Sequence, residues 1–160
     1  AANFGVCDFA NDNAPGQVVV SGSKTSIEKA IEIAKKKGAK RAIMLPVSAP
    51  FHCALMAPAA DILSEMLSEI VMKNPIVPIV SNVIAEAVTD AGRIRELLVE
   101  QVTGRVRWRE CVLAMKHAGV SEFIEIGAGK VLSGLVRRID RDLIVSNVEN
   151  PEDVVAFFKV

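Results

Sequence analysis

A chain of 160 residues has room for one domain with a core of its own. Its 19 Lys plus Arg offset 19 Asp plus Glu, so the formal net charge is zero and no polyanion such as nucleic acid is expected as a partner. Hydrophobic residues at 51% against 24% charged exclude a disordered chain, no apolar run approaches the roughly 20 residues of a bilayer span, and the composition predicts a soluble globular protein.

Ala14-Pro15-Gly16-Gln17 suits a type II turn, because Pro presets φ at the second position and Gly supplies the positive φ at the third. It leads into a strand from Gln17 to Ser21. Thr25 and Glu28 have capping-box spacing, and Ile27, Ala30, Ile31 and Ala34 form one apolar helical stripe that should end at Gly38. Ala42 to Val47 reads as a strand, with Pro46 marking an edge or its end. A helix of about 15 residues should follow from Pro58, burying Ala59, Leu63, Met66, Leu67 and Ile70. Asn74-Pro75 breaks it, and Val77 to Val80 supplies a short strand.

Asp90 caps a third helix carrying Ile94, Leu97 and Leu98, and Trp108, Cys111, Val112 and Met115 give a fourth its inner stripe before Gly119. Glu122 to Ile126 is strand, Lys130 to Ile139 helix, Leu143 to Val148 strand, and Asp153 to Lys159 a closing helix. The order from residue 77 onward predicts an α/β fold with a mostly parallel sheet. The piece before Ser48 is too small to bury a sufficient core alone.

Cys7, Cys53 and Cys111 are odd in number and widely spaced, which suggests neither a disulfide framework nor structural zinc and fits a reducing, cytoplasmic compartment. No basic start followed by an apolar stretch reads as a secretory signal. The opening Ala1-Ala2-Asn3 fits processing, an artificial boundary, or a start inside a longer polypeptide.

Gly127-Ala128-Gly129-Lys130 joins a strand to a helix. However, Ile124 and Val131 stand where a phosphate loop needs Gly and Ser or Thr, and Leu132 stands where a dinucleotide fingerprint needs Gly. The segment therefore reads as a tight structural turn. His117 reads as a helix-terminal residue, and two histidines without metal-ligand spacing make a metal site unexpected. His52 differs, lying between two prolines and a helix among apolar neighbours. It could be a base or a loop histidine held for packing. No G-x-S-x-G supplies a nucleophile, and Cys53, its neighbour, reads as packed. A catalytic His52 would need a nucleophile from elsewhere.

Four segments, in matching order and separation, carry a resemblance over essentially the whole chain. They are Pro46 to Met56, similar to P-V-S-x-P-F-H-S-x-L-M; Asn13 to Gln17 with the Val-rich strand and Ser21-Gly22 after it; Val106-Arg107-Trp108; and Glu125 to Leu135. Together they resemble the malonyl-CoA:acyl carrier protein transacylases and the related acyltransferase domains of fatty acid and polyketide synthases. The resemblance implies an α/β-hydrolase-like large subdomain with an inserted ferredoxin-like small one, here truncated on the N-terminal side. Residues 1–47 correspond to the second half of the small subdomain and 48–160 to the closing portion of the large one.

The resemblance further implies ping-pong transfer of a malonyl group from coenzyme A to the phosphopantetheine thiol of acyl carrier protein. The nucleophilic serine would lie in the N-terminal half of the same enzyme, so this chain alone should be inactive. His52 becomes the base, and the backbone carbonyl of Arg107 the group that orients it. Phe51 matches the position that favours malonyl over methylmalonyl, and Val47, Asn11, Asn13 and Gln17 join it as substrate-binding candidates. No cofactor is implied, the coenzyme A thioester being substrate, and neither membrane nor nucleic acid is a partner. Lys35, Lys36, Lys37, Lys40 and Arg41 read as a solvated helix end, or as a surface for the acidic carrier protein. Cys53 and Ala128 depart from the family's Ser and Pro. Another acyl specificity, or a non-catalytic acyl-carrier or CoA-binding module, are the alternatives.

Overall fold

Asp8, Asn11, Asp12 and Asn13 are residue types that strands usually avoid, yet they lie in a strand. In the computed structural model, which describes residues 1–158, β1 (Cys7–Ala14) pairs antiparallel with β2 (Gln17–Gly22) across the Pro15-Gly16 turn. Register shifts between Phe9 and Asn11 and between Asp12 and Ala14 bend β1. Its two aspartates have tertiary partners, Ala54 N–H and Arg109, that local sequence does not reveal, so β2 alone is legible as a strand.

The first helix, α1 (Lys24–Lys36), starts two residues earlier than expected. Ser23 is its N-cap, Thr25 already lies inside, and the capping box does not form; the Ser23 hydroxyl instead shares a hydrogen bond with that of buried Ser26, 2.8 Å away. At the other end Gly38 N–H donates to Lys35 O and Ala39 N–H to Ala34 O, which closes the helix by satisfying its last carbonyls.

Ala42 to Val47 is not a strand. Ile43, Met44, Leu45 and Val47 are exposed, Pro46 has no N–H to give, and no described strand lies alongside to form a ladder. A single 3-10 turn (Ala54–Met56) then runs into α2 (Ala57–Ser68), shorter than the expected 15 residues. Ala59, Leu63 and Leu67 are half-buried, but Met66 and Ile70 are exposed, so the expected apolar face is only partly covered.

A short hairpin follows, β3 (Ile79–Ser81) against β4 (Glu86–Val88). The α3 helix (Ala91–Thr103) is capped as expected, Asp90 Oδ1 accepting the Arg93 N–H at 2.7 Å, and buries Ile94 and Leu97. It packs against α2. Next come α4 (Trp108–His117), β5 (Glu122–Ile126), α5 (Val131–Ile139), β6 (Ile144–Val148) and α6 (Pro151–Phe157); Lys159, expected to end the last helix, lies outside the described residues.

Strands β5 and β6 are parallel and joined through α5. Among the described residues theirs is the only parallel pair of named strands, so the sheet is not the mostly parallel one expected: three two-stranded pairs form, two of them antiparallel. The core lies where α4 packs on this βαβ unit. Val112, Val136 and Leu143 are buried there, with Trp108, Met115, Phe123, Ile139 and Val145 packed around them. Each fully buried side chain of this size stabilises by about 1.5–3 kcal/mol.

The hairpin docks on this unit through β1. Asp12 N–H donates to Val106 O and Val106 N–H to Ala10 O, both at 2.8 Å. Arg109 grips the Asp12 carboxylate with Nε at 3.0 Å and Nη2 at 2.7 Å. That pairing holds the Asp12 carboxyl below its ordinary range, chiefly through the hydrogen bond from Arg109.

Candidate functional site

His52 occupies a backbone conformation that side chains rarely adopt, φ +58°. Such a conformation persists only where the surroundings fix it, and here they do. Cys53, fully buried, directs its thiol to Pro50 O at 3.1 Å, folding the turn back on itself. Met56 N–H bonds Cys53 O, and the Ala54 N–H, at the start of the 3-10 turn, donates to Asp8 Oδ2 at 3.1 Å.

The ring has its own anchor. His52 Nδ1 lies 3.0 Å from the backbone oxygen of Gln101. A carbonyl only accepts, so the neutral ring carries its proton on Nδ1 and keeps the Nε2 lone pair free. Gln101 is in the last turn of α3, among the four carbonyls that have no partner within the helix. The carboxyl end of α3 therefore faces the ring. The Gln101 side chain stabilises the same terminus, its Nε2 donating to Gly104 O at 2.9 Å. Gly104 itself has no room for a side chain: a Cβ there would lie 2.7 Å from both Glu100 O and Val83 Cγ2.

This corrects the expectation for Arg107. Its carbonyl accepts the Cys111 N–H at 2.9 Å in the first turn of α4 and is engaged there, not at His52. The Arg107 guanidinium bonds Ile84 O and the Glu110 carboxylate, and that hydrogen bond lowers the Glu110 pKa from its usual range.

Comparison with known proteins decides the family. The chain is 48% identical over 146 residues to the malonyl CoA-acyl carrier protein transacylase of Bacillus subtilis, covering 91% of this chain and 46% of that protein. It is a homologue of the malonyl-CoA:acyl carrier protein transacylases. The transacylase of Escherichia coli K12 is 44% identical over 156 residues, 98% of this chain and 50% of its own length. Among solved structures, the acyl-carrier-protein S-malonyltransferase of Bartonella henselae superposes with a TM-score of 0.94 at 49% identity, covering 99% of this chain and 50% of that one. A malonyl-transacylase in complex with a type II polyketide acyl-carrier protein superposes at 0.91 with 40% identity, over 97% and 50% of the two chains. No protein-family model matches. This transacylase homologue thus spans about half the length of the curated relatives it matches, with the mixed α/β fold of the matching half.

Other sequence candidates of the homologue are dispersed. Phe51 and Val47 are exposed, the former beside His52 in the turn. Asn11 bridges Val106 through its backbone, and Gln17 accepts a hydrogen bond from Arg138 of α5. What joins β1 to the turn is Asp8 rather than Asn11, Asn13 or Gln17. Sequence reasoning missed both Asp8 and Gln101. A backbone carbonyl leaves no trace in residue identity, and Asp8 lies 46 positions from its partner.

The Gly127–Lys130 segment is a structural turn. The Glu125 carboxylate already takes the first free N–H groups of α5, from Leu132 at 3.1 Å and Ser133 at 2.7 Å, and Asn147 Nδ2 also donates to it. Hydrogen bonds from Ser133 first, then Leu132 and Asn147, hold Glu125 below the usual carboxylate range. An open hollow of about 420 Å³ at the carboxyl ends of β5 and β6 is lined by Ile126, Gly127, Val148 and Val154, without His52. Burial pushes the Cys111 thiol up to about 11, so it stays protonated at neutral pH. Among the described residues no group of three His, Cys, Asp or Glu could hold a metal, and no helix is long and apolar enough to cross a membrane.

Proposed function

We propose that this chain supplies the base of a malonyl-CoA:acyl carrier protein transacylase, with the nucleophilic serine contributed by the N-terminal half of the same enzyme. The observation that carries the reading is the His52 Nδ1 to Gln101 O hydrogen bond, which leaves Nε2 as a proton acceptor. Residues 1–47 belong to a ferredoxin-like small subdomain and 48–160 to an α/β-hydrolase-like large one.

A serine hydroxyl is a weak nucleophile at neutral pH. Nε2 takes its proton as the oxygen attacks the malonyl thioester carbonyl; the C–S bond breaks, and the departing coenzyme A sulfur receives that proton from the imidazolium. In the second half-reaction Nε2 deprotonates the phosphopantetheine thiol of acyl carrier protein, sulfur attacks the malonyl-serine ester, and the serine oxygen leaves with the proton. The ring is positive only between taking the proton and returning it, with Nδ1–H directed to the Gln101 carbonyl. A main-chain carbonyl thereby does what a carboxylate does in a Ser-His-Asp triad.

Phe51 crowds the acyl α-carbon and selects malonyl over methylmalonyl. A pocket of this type discriminates one methylene by about 1–3 kcal/mol. Val47, Asn11, Asn13 and Gln17 border the substrate. The exposed side chains of Phe51, Leu55, Ile62 and Met66 support a surface that the N-terminal half of the enzyme covers. No cofactor is needed, since the thioester is itself the activated group, and the reaction takes place in the cytoplasm. The test is co-expression with the N-terminal half of a matching transacylase and measurement of malonyl transfer to acyl carrier protein. Assembly that restores transfer supports the reading; a correctly assembled pair without transfer contradicts it.

A further inference from the structure

Four contacts hold the His52 turn, and three of them come from the turn itself or from α3: Cys53 to Pro50 O, Met56 N–H to Cys53 O, and the ring to Gln101 O. The fourth comes from the hairpin, where Asp8 Oδ2 accepts the Ala54 N–H at 3.1 Å. Ala54 opens the 3-10 turn that continues into α2, and its N–H is one that helical bonding leaves free. Cys53, the residue that precedes it, has no side-chain oxygen to cap that N–H from within. The carboxylate from β1 fills the role instead.

The position of that carboxylate is set by the rest of β1. Four residues further on, Asp12 grips Arg109, and between them the Asn11–Val106 bridge fastens the strand to the segment before α4. The strand is thus pinned at its middle, and its leading end reaches the turn that carries His52. Only Cys53 separates Asp8's hydrogen-bond partner from His52, whose left-handed backbone needs external support.

We infer that Asp8 is a positioning residue for His52: through the Ala54 N–H it transmits the seating of the β1–β2 hairpin to the turn and keeps Nδ1 on the Gln101 carbonyl. The inference rests on the reading of His52 as a base, but it concerns which ring nitrogen carries the proton, a property measurable without turnover. Asp8 touches neither substrate nor the ring. Its removal should therefore change the tautomer before it changes anything else, because a ring released from Gln101 relaxes toward the Nε2–H form that free imidazole side chains prefer.

The experiment is long-range proton–nitrogen NMR on the labelled full chain at neutral pH, where two histidines give two separable ring patterns. Asp8→Asn retains an oxygen that can accept from Ala54, whereas Asp8→Ala does not and Asp8→Ser is too short to reach. Thermal unfolding of each variant separates loss of fold from loss of position. The expected result is the Nδ1–H form in the parent and in Asp8→Asn. Asp8→Ala and Asp8→Ser should show a measurable Nε2–H population, with exchange of the Ala54 amide faster by about tenfold or more. If Asp8→Ala does not fold, the comparison of Asp8→Ser with Asp8→Asn carries the same test. A folded Asp8→Ala or Asp8→Ser with the parent tautomer overturns the inference, as does an Asp8→Asn ring displaced as far as either. Failure of malonyl transfer in the assembled enzyme, with the tautomer pattern as expected, would count against the base assignment and leave the positioning role standing.

Discussion

His52 and Gln101, 49 positions apart, meet through one hydrogen bond between a ring nitrogen and a main-chain oxygen at 3.0 Å. The carbonyl is free because α3 ends at Gly104, and α3 ends there in a space that admits only glycine. Gly104→Ala would drive a Cβ against Glu100 O and Val83, displacing the helix terminus. Overpacking of this kind costs about 1–3 kcal/mol. Urea denaturation should show that loss, and the assembled enzyme should transfer malonyl more slowly even though Gly104 touches no substrate.

Gln101→Ala separates the side chain from the carbonyl. It removes the bond to Gly104 O but keeps the acceptor for His52, so the expected cost is about 0.5–1.5 kcal/mol in stability. Transfer should fall much less than when His52 itself is replaced. An equal loss would show that the side chain, not the backbone, serves the ring.

How far the sequence could be read follows from where the determinants lie. Asp90 capping α3, the β5–α5–β6 order and the buried stripe of α4 depend on local pattern, and the structure has them all. Ala42–Val47 has residues that favour a strand, but no described strand lies alongside to form a ladder with it. β1 was overlooked for the opposite reason, its polar residues being stabilised by Arg109 and Ala54 from distant elements. The site divides similarly: His52 stood out from its proline-flanked surroundings, whereas Gln101 acts through an atom every residue possesses. The Arg107 carbonyl is the acceptor that the resemblance implies for the ring, but it accepts the Cys111 N–H in α4 instead.

Acid should weaken the fold through Asp12, Glu110 and Glu125, whose pKa values are lowered by hydrogen bonds from Arg109, Arg107 and Ser133 respectively. A carboxylate with a folded value below its unfolded one binds fewer protons in the folded state. Its stabilisation is therefore full above the ordinary values of 3.8 for Asp and 4.5 for Glu, and disappears as pH falls through the depressed folded values. Denaturation midpoints should hold from neutrality down to about pH 5 and drop below it. Glu125→Gln should flatten that drop; an unchanged slope would remove Glu125 from the acid response.

Val112 sits at the centre of the core, fully buried. Val112→Ala removes two methyl groups and leaves a cavity in a close-packed region, for an expected loss of about 2–3 kcal/mol. Equilibrium urea unfolding measures it. A loss well below 1 kcal/mol would mean that α4 and α5 collapse onto the space.

Phe51→Ser should relax acyl selection in the assembled enzyme. Competition between malonyl-CoA and methylmalonyl-CoA is expected to shift toward the methylated substrate by about tenfold. An unchanged ratio would place the selecting contact elsewhere.

The most direct measurement is single-turnover malonyl transfer by His52→Ala, assembled with the same N-terminal half as the parent and verified as folded. Loss of a positioned base should slow acylation of the serine by about 10²–10⁴-fold. Acylation at the parent rate would contradict the assignment of His52 and with it the account of the site.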